Sequence, residues 1–469
     1  MTDTIVASEI GELFALRPGV YSVTGEDGQL SLLAWPHAER LGRLDADQQA
    51  VLRALAGRRA CADELVALAG GAPGVRELLA RLRQGGWLTT TVTSRGRDLY
   101  TLSPLREAPP VPGALPHPLV LSRFALIRRH GSDMTAMTVE SPRAWCDVRV
   151  HDAEVLAVLG GLAGPDPATH QRILRDLYWA GVLVEAGGAE ETELELRQWS
   201  PHELWFHDRS RLGYRGYFGD RFGRTFWARG TFDPLPAEPE PFPGATVALP
   251  RPDLPSLRRT DPTLTTVLED RESVREHDDD NPISVDQLGE FLYRCARTRM
   301  VRHGDDGIEY ANRPHPSGGS VYELELYPVV RLADGLDPGM YHYDSHAHRL
   351  ETVCDASSPA LRRLLRVATH STVAARPPQV LIVVSARIGR LMWKYEAMPY
   401  ALALKHVGVL YQTMYCVATA MGLAPCGLGS GDSRAFTEAT GRNPYAECSV
   451  GEFMLGSRRP QPQIWELGR

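Results

Sequence analysis

The longest apolar segment of the chain, Tyr400–Met421, sets the strongest limit on the fold. Its length suits a helix of about five or six turns, and Gly422 follows as a typical helix stop. Apolar side chains occupy every face of this helix, so it is expected to lie in the middle of a core. The segment is interrupted by Lys405, His406 and Gln412 and lacks basic flanks, and both features disfavour a membrane-spanning helix.

The composition limits the class of protein further. A chain of 469 residues is long enough for about three domains, and an apolar fraction of 43% can fill large cores. The net charge of −7 argues against a basic surface that holds nucleic acid. The seven cysteines form no C-x-x-C pair, which predicts neither a disulfide framework nor a zinc site and suits a reducing cytoplasm. Because residues 1–19 have no basic segment, we expect a cytoplasmic protein without a signal peptide or membrane anchor.

An internal repeat divides the N-terminal part of the chain into two domains, residues 1–108 and 109–195. Each copy contains an apolar helical segment and then a second one that ends in a Gly turn and a strand. The matching segments are residues 51–57 and 155–161 for the first helix, and residues 78–88 and 173–183 for the second helix, turn and strand. A helix, a Gly turn and a strand form the end of a winged helix-turn-helix unit, so we predict two such domains in tandem.

Such a pair of domains suits three functions. A DNA-binding helix needs a basic face to neutralise phosphates. The last helix of each copy instead mixes its charges: Arg81, Arg83 and Glu77 in the first copy, and Arg172, Arg175 and Asp176 in the second. We therefore favour recognition of an extended peptide that adds to the edge of the β-wing. A purely structural appendage and nucleic-acid binding are the alternatives.

A junction and a proline-rich strap, residues 196–260, connect the repeat to the C-terminal domain, residues 261–469. Eight prolines lie between residues 234 and 255, so this stretch is predicted to be extended rather than helical. Apolar residues such as Leu235 and Phe242 are interleaved with the prolines. These apolar side chains allow an extended strap to pack against the surface of a folded domain.

Two groups of histidines invite a metal-site interpretation. His202 and His207 nearly match a metalloprotease motif, but a spacing of five residues does not put both side chains on one side of a helix. His342, His346 and His348 are interpreted as a turn between two strands, because no carboxylate or cysteine partner has a helpful spacing. We predict no metal site.

Four motifs that suit a cofactor site lie in order in the C-terminal domain. In the first, R-x-S-x-R, the two arginines and the serine point to one side of an extended segment, and two guanidiniums suit a phosphate. In the second, P-S-G-G, two glycines let the backbone approach a flat ligand. The others are a Lys-Tyr pair with the apolar helix and a P-C-G-L-G loop, and a C-terminal E-F-M-L-G-S-R-R. They occupy residues 271–275, 316–319, 394–431 and 452–459. No G-x-G-x-x-G unit precedes them, so a Rossmann fold is not indicated.

This order of motifs resembles the nitroreductase superfamily and, more narrowly, the SagB-type azoline dehydrogenases that act on thiazole- and oxazole-modified peptides. The resemblance covers residues 196–469, and Trp199–His207 is similar to the usual start of that domain. Some such dehydrogenases also have N-terminal winged-helix modules that recognise a leader peptide. The predicted fold class is therefore α+β, with a C-terminal nitroreductase-like FMN fold preceded by two tandem winged helix-turn-helix domains.

The resemblance implies an FMN enzyme that forms homodimers with the flavin at the subunit interface. It implies a phosphate and ribityl site at Arg271, Ser273 and Arg275, with a further contact from Arg458. The other cofactor-binding residues that it implies are Pro316, Ser317, Gly318, Gly319, Gln412, Leu428, Gly429 and Ser430. The family often has Arg at the position of Glu272, and this departure removes a positive charge beside the phosphate.

The resemblance also implies that Lys394 and Tyr395 are catalytic. Oxidation of an azoline to an azole removes a proton and a hydride from adjacent ring carbons, and the flavin is expected to take the hydride. Either Lys394 lowers the pKa of Tyr395, which then acts as the base, or Lys394 is the base and Tyr395 orients the substrate. The sequence leaves both divisions open, and the reduced flavin is expected to be reoxidised by oxygen.

The predicted function is thus FMN-dependent oxidation of azolines in a ribosomally made, modified peptide, such as a thiopeptide. Its partners would be the precursor peptide and a cyclodehydratase, with neither nucleic acid nor a membrane. The alternatives are an NAD(P)H-dependent nitroreductase or quinone reductase, and a non-catalytic scaffold that binds the leader peptide. The choice between thiazoline and oxazoline, the natural product and the leader-binding module stay open.

Overall fold

The computed structural model describes residues 10–34, 37–71, 73–129, 136–164, 166–211, 225, 227–396 and 398–459. The chain forms two compact units, Met1–Arg221 and Phe222–Arg469. Across the described ranges, no helix has both the length and the apolar character needed to cross a membrane.

The N-terminal unit consists mostly of antiparallel sheet. Its strands are β1 (Ile10–Leu16), β2 (Tyr21–Thr24), β3 (Leu30–Ala34), β4 (His37–Gly42), β5 (Leu88–Ser94), β6 (Arg97–Pro104), β7 (Leu119–Leu121), β8 (Leu126–Arg129), β9 (Met137–Glu140), β10 (Cys146–Val150) and β11 (Leu183–Glu185). Its helices are α1 (Ala46–Gly57), α2 (Ala62–Leu68), α3 (Pro73–Gln84), α4 (Ala153–Leu159), α5 (Pro167–Ala180), α6 (Ala189–Thr192), α7 (Leu194–Arg197) and α8 (Pro201–Ser210). The main sheet has six strands in the order β1-β5-β6-β10-β9-β8, beside a three-stranded sheet β2-β3-β4 and the pair β7-β11.

The repeated helix, Gly turn and strand occur in both copies. Gly86 and Gly181 follow α3 and α5 with left-handed φ values of 72° and 79°, and each leads into a strand. The copies differ otherwise: in the described ranges the first copy has α1, α2 and α3 before a long β5-β6 hairpin, whereas the second has α4 and α5 before the three-residue strand β11. The unit is therefore not clearly a pair of winged helix-turn-helix domains.

The hairpin expected to form a wing is built into the six-stranded sheet. Strand β5 pairs with β1 and β6, and β6 pairs with β10, from Tyr100 opposite Val150 to Pro104 opposite Cys146. Both hairpin strands are thus paired on their two sides, and β1 and β8 form the edges of this sheet. The predicted peptide-binding edge of the first wing is for this reason already occupied by the protein itself.

The C-terminal unit contains a seven-stranded antiparallel sheet between helices. Its strands are β12 (Thr246–Ala248), β13 (Met300–His303), β14 (Glu309–Asn312), β15 (Leu324–Val330), β16 (Gly339–Asp344), β17 (Arg349–Asp355), β18 (Val380–Arg387), β19 (Leu423–Leu428) and β20 (Glu447–Ser457). Its helices are α9 (Leu254–Thr260), α10 (Leu264–Asp270), α11 (Val285–Ala296), α12 (Pro359–Thr372), α13 (Ile388–Met392), α14 (Pro399–Ala420) and α15 (Ser433–Thr440). The strand order is β12-β17-β16-β15-β18-β20-β19, with β13-β14 as a separate pair.

The two faces of this sheet carry separate apolar cores. Phe291 of α11 and Leu410 of α14 pack on one face with Phe453, and Leu361 of α12 and Phe436 of α15 pack on the other. The central strands β15 and β18 are buried along their whole length, as expected for strands covered by helices on both sides.

The predicted long helix is confirmed as α14, with Pro399 at its first turn and Gly422 beyond its end at φ 68°. The expectation that core would surround it is wrong within this unit. One side is buried, but Tyr400, Leu404 and Val409 are 46%, 38% and 37% exposed. Part of the apolar surface of α14 is therefore exposed.

The proline-rich strap runs in an extended conformation along the C-terminal unit. Arg387 donates to the carbonyl oxygens of Pro236 and Ala237 at 2.9 and 3.1 Å, and Arg390 donates to that of Leu235 at 2.6 Å. Further along, β12 pairs with β17. The prediction of a turn at residues 345–348, between β16 and β17, is also confirmed.

Candidate active site

The P-S-G-G loop is held against α14 by a buried histidine. The Gly318 N–H donates to His406 Nε2 at 2.7 Å, and His406 Nδ1 lies 2.7 Å from Glu323 Oε1. A Cβ atom at Gly318 would lie 3.0 Å from the Leu402 side chain and 3.1 Å from His406 Nε2. Glycine at this position thus permits close packing of the loop on α14.

The opposite side of the same loop contacts the Lys-Tyr pair. Lys394 Nζ donates to the Gly319 carbonyl oxygen at 3.2 Å and lies 4.7 Å from the centre of the Tyr310 ring. Gly319 has a φ of 66°, and a Cβ there would lie 2.7 Å from Lys394 Cδ and 2.9 Å from the Tyr395 hydroxyl. Lys394, Tyr395 and the glycine turn therefore meet at one place.

The electrostatic surroundings of Tyr395 favour its protonated form. Burial raises the pKa of Tyr395 above its ordinary value of 10. The hydroxyl therefore carries its proton at neutral pH, so it can donate a hydrogen bond but is a poor base.

The R-x-S-x-R segment runs extended beside β19 and the C-terminal part of α14. The Val274 N–H donates to the Pro425 carbonyl at 2.8 Å, Ser273 Oγ lies 2.8 Å from the Tyr415 hydroxyl, and the Arg271 guanidinium is 5.4 Å from the centre of the Tyr415 ring. In the described ranges, neither Arg271 nor Arg275 has a carboxylate within 4.0 Å. Two guanidiniums without acidic partners make this segment suited to an anion.

Arg458 is placed differently from the other two arginines. Its Nη1 lies 2.5 Å from Glu272 Oε1, and its Nε donates to the Leu423 carbonyl at 2.9 Å. Glu272, the residue that departs from the family pattern, thus forms an ion pair with the guanidinium that was predicted to contact the phosphate.

The remaining predicted cofactor residues lie on α14, at the end of β19 and directly after it. Gln412 is exposed on α14, where its Nε2 lies 3.5 Å from Cys416 Sγ. Leu428 packs with Phe436, in the core on the other face of the sheet from α14. Ser430 Oγ lies 2.7 Å from Ser371 Oγ, and both Gly429 and Ser430 are exposed.

Helix α14 connects the two groups of site residues. His406, which holds the loop with Pro316 and Ser317, and Tyr415, which contacts the R-x-S-x-R segment, are nine residues apart, or about 14 Å along the helix axis. The R-x-S-x-R segment, whose arginines suit an anion, and the loop that contacts the Lys-Tyr pair therefore lie at two positions along one helix.

Sequence reasoning overlooked His406, Glu323 and Tyr310 as members of this site. A histidine in an otherwise apolar helix was the available signal. A second signal was the rarity of lysine. Of the 51 lysines and arginines in the chain, two are lysines, Lys394 and Lys405. A chain that otherwise uses arginine for positive charge has a side chain here that can lose its proton.

Comparison with known proteins agrees with this architecture. The nitroreductase family model matches residues 268–456, and the model of the cyanobactin oxidase ThcOx matches residues 119–215. "Putative nitroreductase MJ1384" of Methanocaldococcus jannaschii is 27% identical over 187 residues, 40% of this chain and 86% of that protein. The microcin B17-processing protein McbC of Escherichia coli is 28% identical over 24% of this chain and 42% of its own. The trifolitoxin-processing protein TfxB of Rhizobium leguminosarum bv. trifolii is 27% identical over 37% and 48%.

Similar solved structures include the E. coli microcin synthetase McbBCD complex with truncated pro-MccB17. That structure is 20% identical, with a TM-score of 0.34 over 50% of this chain and 91% of that chain. A nitroreductase structure from Ralstonia eutropha is 22% identical, with a TM-score of 0.37 over 48% and 96%.

The fold and the family match define the class of the C-terminal unit: residues 268–456 match the nitroreductase family. Residues 119–215 match the cyanobactin oxidase ThcOx, and two similar proteins are named as processing proteins of microcin B17 and trifolitoxin. The resemblance to the nitroreductase superfamily that the sequence indicated is thereby confirmed. The chain spans less than half the length of each of those two relatives, McbC and TfxB.

Proposed function

We propose that this protein oxidises azoline rings in a ribosomally made peptide to thiazoles or oxazoles, with FMN as its cofactor. The observation that carries the proposal is the convergence of Lys394 and Tyr395 on the Gly319 turn in a nitroreductase-family unit. The match to a cyanobactin oxidase and the similarity to two peptide-processing proteins support a peptide substrate.

The reaction removes two hydrogens from adjacent carbons of the azoline ring. One leaves as a proton, and the other leaves with an electron pair as hydride. Bound FMN would supply the two-electron acceptor. The chain itself has to provide a base for the proton and hold the ring in position.

We assign the role of base to Lys394, which would accept the proton as the neutral amine, and the orientation of the substrate to Tyr395. Since burial raises the pKa of Tyr395, the tyrosine is protonated at neutral pH and donates a hydrogen bond. Lys394 has a flexible side chain held at the Gly319 carbonyl, and it is one of only two lysines in the sequence. An arginine could not accept the proton, because its guanidinium does not lose its charge in proteins.

We assign the phosphate of FMN to Arg271, Ser273 and Arg275. These residues fit the group, because one extended segment carries a hydroxyl and two guanidiniums that have no carboxylate partner among the residues the structure describes. The assignment of Arg458 to the phosphate requires that its ion pair with Glu272 opens. Pro316, Ser317, Gly318 and Gly319 would line the ring system next to Lys394.

We further propose that the active form is a homodimer. The exposed apolar side chains of Tyr400, Leu404 and Val409 on α14 belong to the surface that a second copy would cover. Gln412, Gly429 and Ser430 are exposed, and we assign them, together with Leu428, to the flavin site of the second copy.

The N-terminal unit is proposed to recognise the leader segment of the precursor peptide. Support comes from the helix, Gly turn and strand found in both copies, and from the ThcOx match that begins within the second copy. In the six-stranded sheet the strands of the first hairpin are paired on both sides, and Phe14 of the edge strand β1 already pairs with Ala60. The other edge strand, β8, is therefore the one proposed to pair with an added peptide strand. A cyclodehydratase partner and a cytoplasmic location complete the proposal.

An absorption spectrum followed by anaerobic mixing with an azoline peptide tests the function. We expect a yellow protein whose flavin band near ~450 nm bleaches while the peptide loses two hydrogens. The relative MJ1384 favours a second candidate, a nitroreductase, because the match covers 86% of that protein. Bleaching by NAD(P)H with an unchanged peptide would select that second candidate, and a colourless protein that FMN cannot reconstitute would leave a binding scaffold.

A further inference from the structure

A polar pair lies inside the apolar core beside the Lys-Tyr site. His406 is 5% exposed and Glu323 is 0% exposed, and the two side chains are 2.7 Å apart. His406 comes from the N-terminal half of α14, and Glu323 comes immediately before β15. Two buried polar groups in this position call for a reason, because apolar residues of similar size fill a core without needing partners.

The hydrogen bonds of His406 fix one neutral form of its ring. A backbone N–H can only donate, so Nε2 must accept from Gly318 and cannot carry a proton. The proton of the neutral ring is then on Nδ1, where it is donated to the Glu323 carboxylate. Glu323 thus holds the imidazole in the one tautomer that can accept from the glycine loop.

The contacts continue from this loop to the proposed base. The residue after Gly318 is Gly319, whose carbonyl oxygen accepts from Lys394 Nζ at 3.2 Å. The left-handed φ of Gly319, 66°, turns the backbone between these two contacts. The backbone of two adjacent glycines, which have no side chains to restrict them, therefore lies between His406 and Lys394.

We propose that His406, fixed in its Nδ1–H tautomer by Glu323, is a positioning residue that holds the Gly318–Gly319 turn and, through the Gly319 carbonyl, the amine of Lys394. This inference rests on the proposed function for its effect on turnover. Its structural part, the position of Lys394, stands independently of which substrate the enzyme oxidises.

The low lysine content allows the position of Lys394 to be observed directly. Protein labelled with ¹³C-lysine gives two side-chain ε-CH₂ signals, from Lys394 and Lys405, and the K405R variant identifies which is which. His406→Phe removes the acceptor for the Gly318 N–H, whereas His406→Gln keeps an acceptor oxygen near the position of Nε2. Leu410→Ala is the matched control, because Leu410 is a fully buried residue one turn further along α14 and belongs to the core.

The FMN-loaded variants are compared by the Lys394 signal and by the kcat and KM for an azoline peptide. We expect H406F to shift the Lys394 signal and to lower kcat by about 10- to 100-fold with KM changed less than about threefold. H406Q should stay within about fivefold of the wild-type kcat, and L410A should lower the melting temperature while leaving the Lys394 signal in place.

Two results separate this inference from the function on which it rests. If the wild type does not oxidise azolines, the proposed function fails, and the Lys394 signal in H406F still decides the positioning role. A Lys394 signal and a kcat in H406F that match those of L410A would overturn the positioning role and leave His406 an ordinary core residue. If H406F does not fold, H406Q alone carries the test. A Lys394 signal in H406Q at the position it has in the unfolded protein, together with loss of turnover, would contradict the expected rescue.

Discussion

Glu272 and Arg458 form an ion pair at 2.5 Å beside the segment proposed to bind the phosphate of FMN. Arg458 also donates to the Leu423 carbonyl, so its guanidinium is held at the end of β20. Glu272 thus has two opposing effects on an anion at Arg271 and Arg275: it adds a negative charge nearby, and it occupies a guanidinium that could otherwise contact the anion.

Replacing Glu272 by Gln is therefore expected to tighten FMN binding. The change removes the negative charge and frees Arg458, which should lower the dissociation constant of FMN by about three- to tenfold. Quenching of flavin fluorescence on titration with apoprotein measures it. Arg275→Gln serves as the comparison, because it should weaken binding by a similar or larger factor. Equal affinities in the wild type and E272Q would place the phosphate elsewhere.

The exposed apolar side chains of α14 predict how dimerisation can be disrupted. Val409→Asp puts a charge into the surface that a second copy is proposed to cover, so the dimer dissociation constant should rise about tenfold or more. Sedimentation velocity over a range of protein concentrations measures this effect, with the exposed Arg434→Ala on α15 as the control. A wild-type protein that is monomeric at all concentrations would contradict the proposed dimer.

The buried Glu452 predicts a pH dependence of stability. Burial, with a smaller contribution from Asp432, raises its pKa from 4.5 to about 7. The folded state therefore holds a proton that the unfolded state releases. The stabilisation is complete below pH about 4.5 and is lost as the pH rises to about 7, and it amounts to about 3 kcal/mol.

Glu452→Gln, which is neutral at every pH, isolates this effect. Relative to E452Q, the wild type should lose about 3 kcal/mol of unfolding free energy between pH 4.5 and 8, measured by urea denaturation. Other titrating groups cancel in the comparison as long as they are the same in both proteins. A constant difference between the two proteins across this range would mean that Glu452 ionises normally in the fold.

Arg390 predicts a large loss of stability from a single side chain. Its guanidinium is 2% exposed and donates to three carbonyl oxygens, those of Leu235, Glu309 and Val321, each at 2.6 Å. Arg390→Met leaves these oxygens without their donor, so the free energy of unfolding should fall by about 3 kcal/mol or more. The exposed Arg434→Met should change it by less than about 0.5 kcal/mol, and similar values for the two variants would show that the strap is not held by Arg390.

Local features of the sequence were sufficient to predict single elements. The apolar segment and the proline and glycine at its ends determine α14, and the run of prolines determines the extended strap. The order of four motifs was sufficient for the family, because each motif is continuous in the chain.

Features that depend on contacts between residues far apart in the sequence could not be predicted from local patterns. His406 and Gly318 are 88 residues apart, and the pairing of β6 with β10 joins the two repeats across more than 40 residues. The repeat predicts a helix, a turn and a strand, but the partner of that strand depends on the whole unit. The exposure of apolar residues on α14 was missed for a related reason, since these residues resemble those of a buried helix.

The most direct test of the central claim is the mass of an azoline peptide after anaerobic mixing with one equivalent of FMN-loaded protein, for the wild type and Lys394→Arg. The wild type should remove two hydrogens as its flavin band bleaches. K394R keeps a long, flexible side chain with N–H donors but cannot accept the proton, so it should retain FMN and react at least about 100-fold more slowly. A wild-type protein that leaves the peptide unchanged, or K394R that reacts as fast as the wild type, would contradict azoline oxidation with Lys394 as the base.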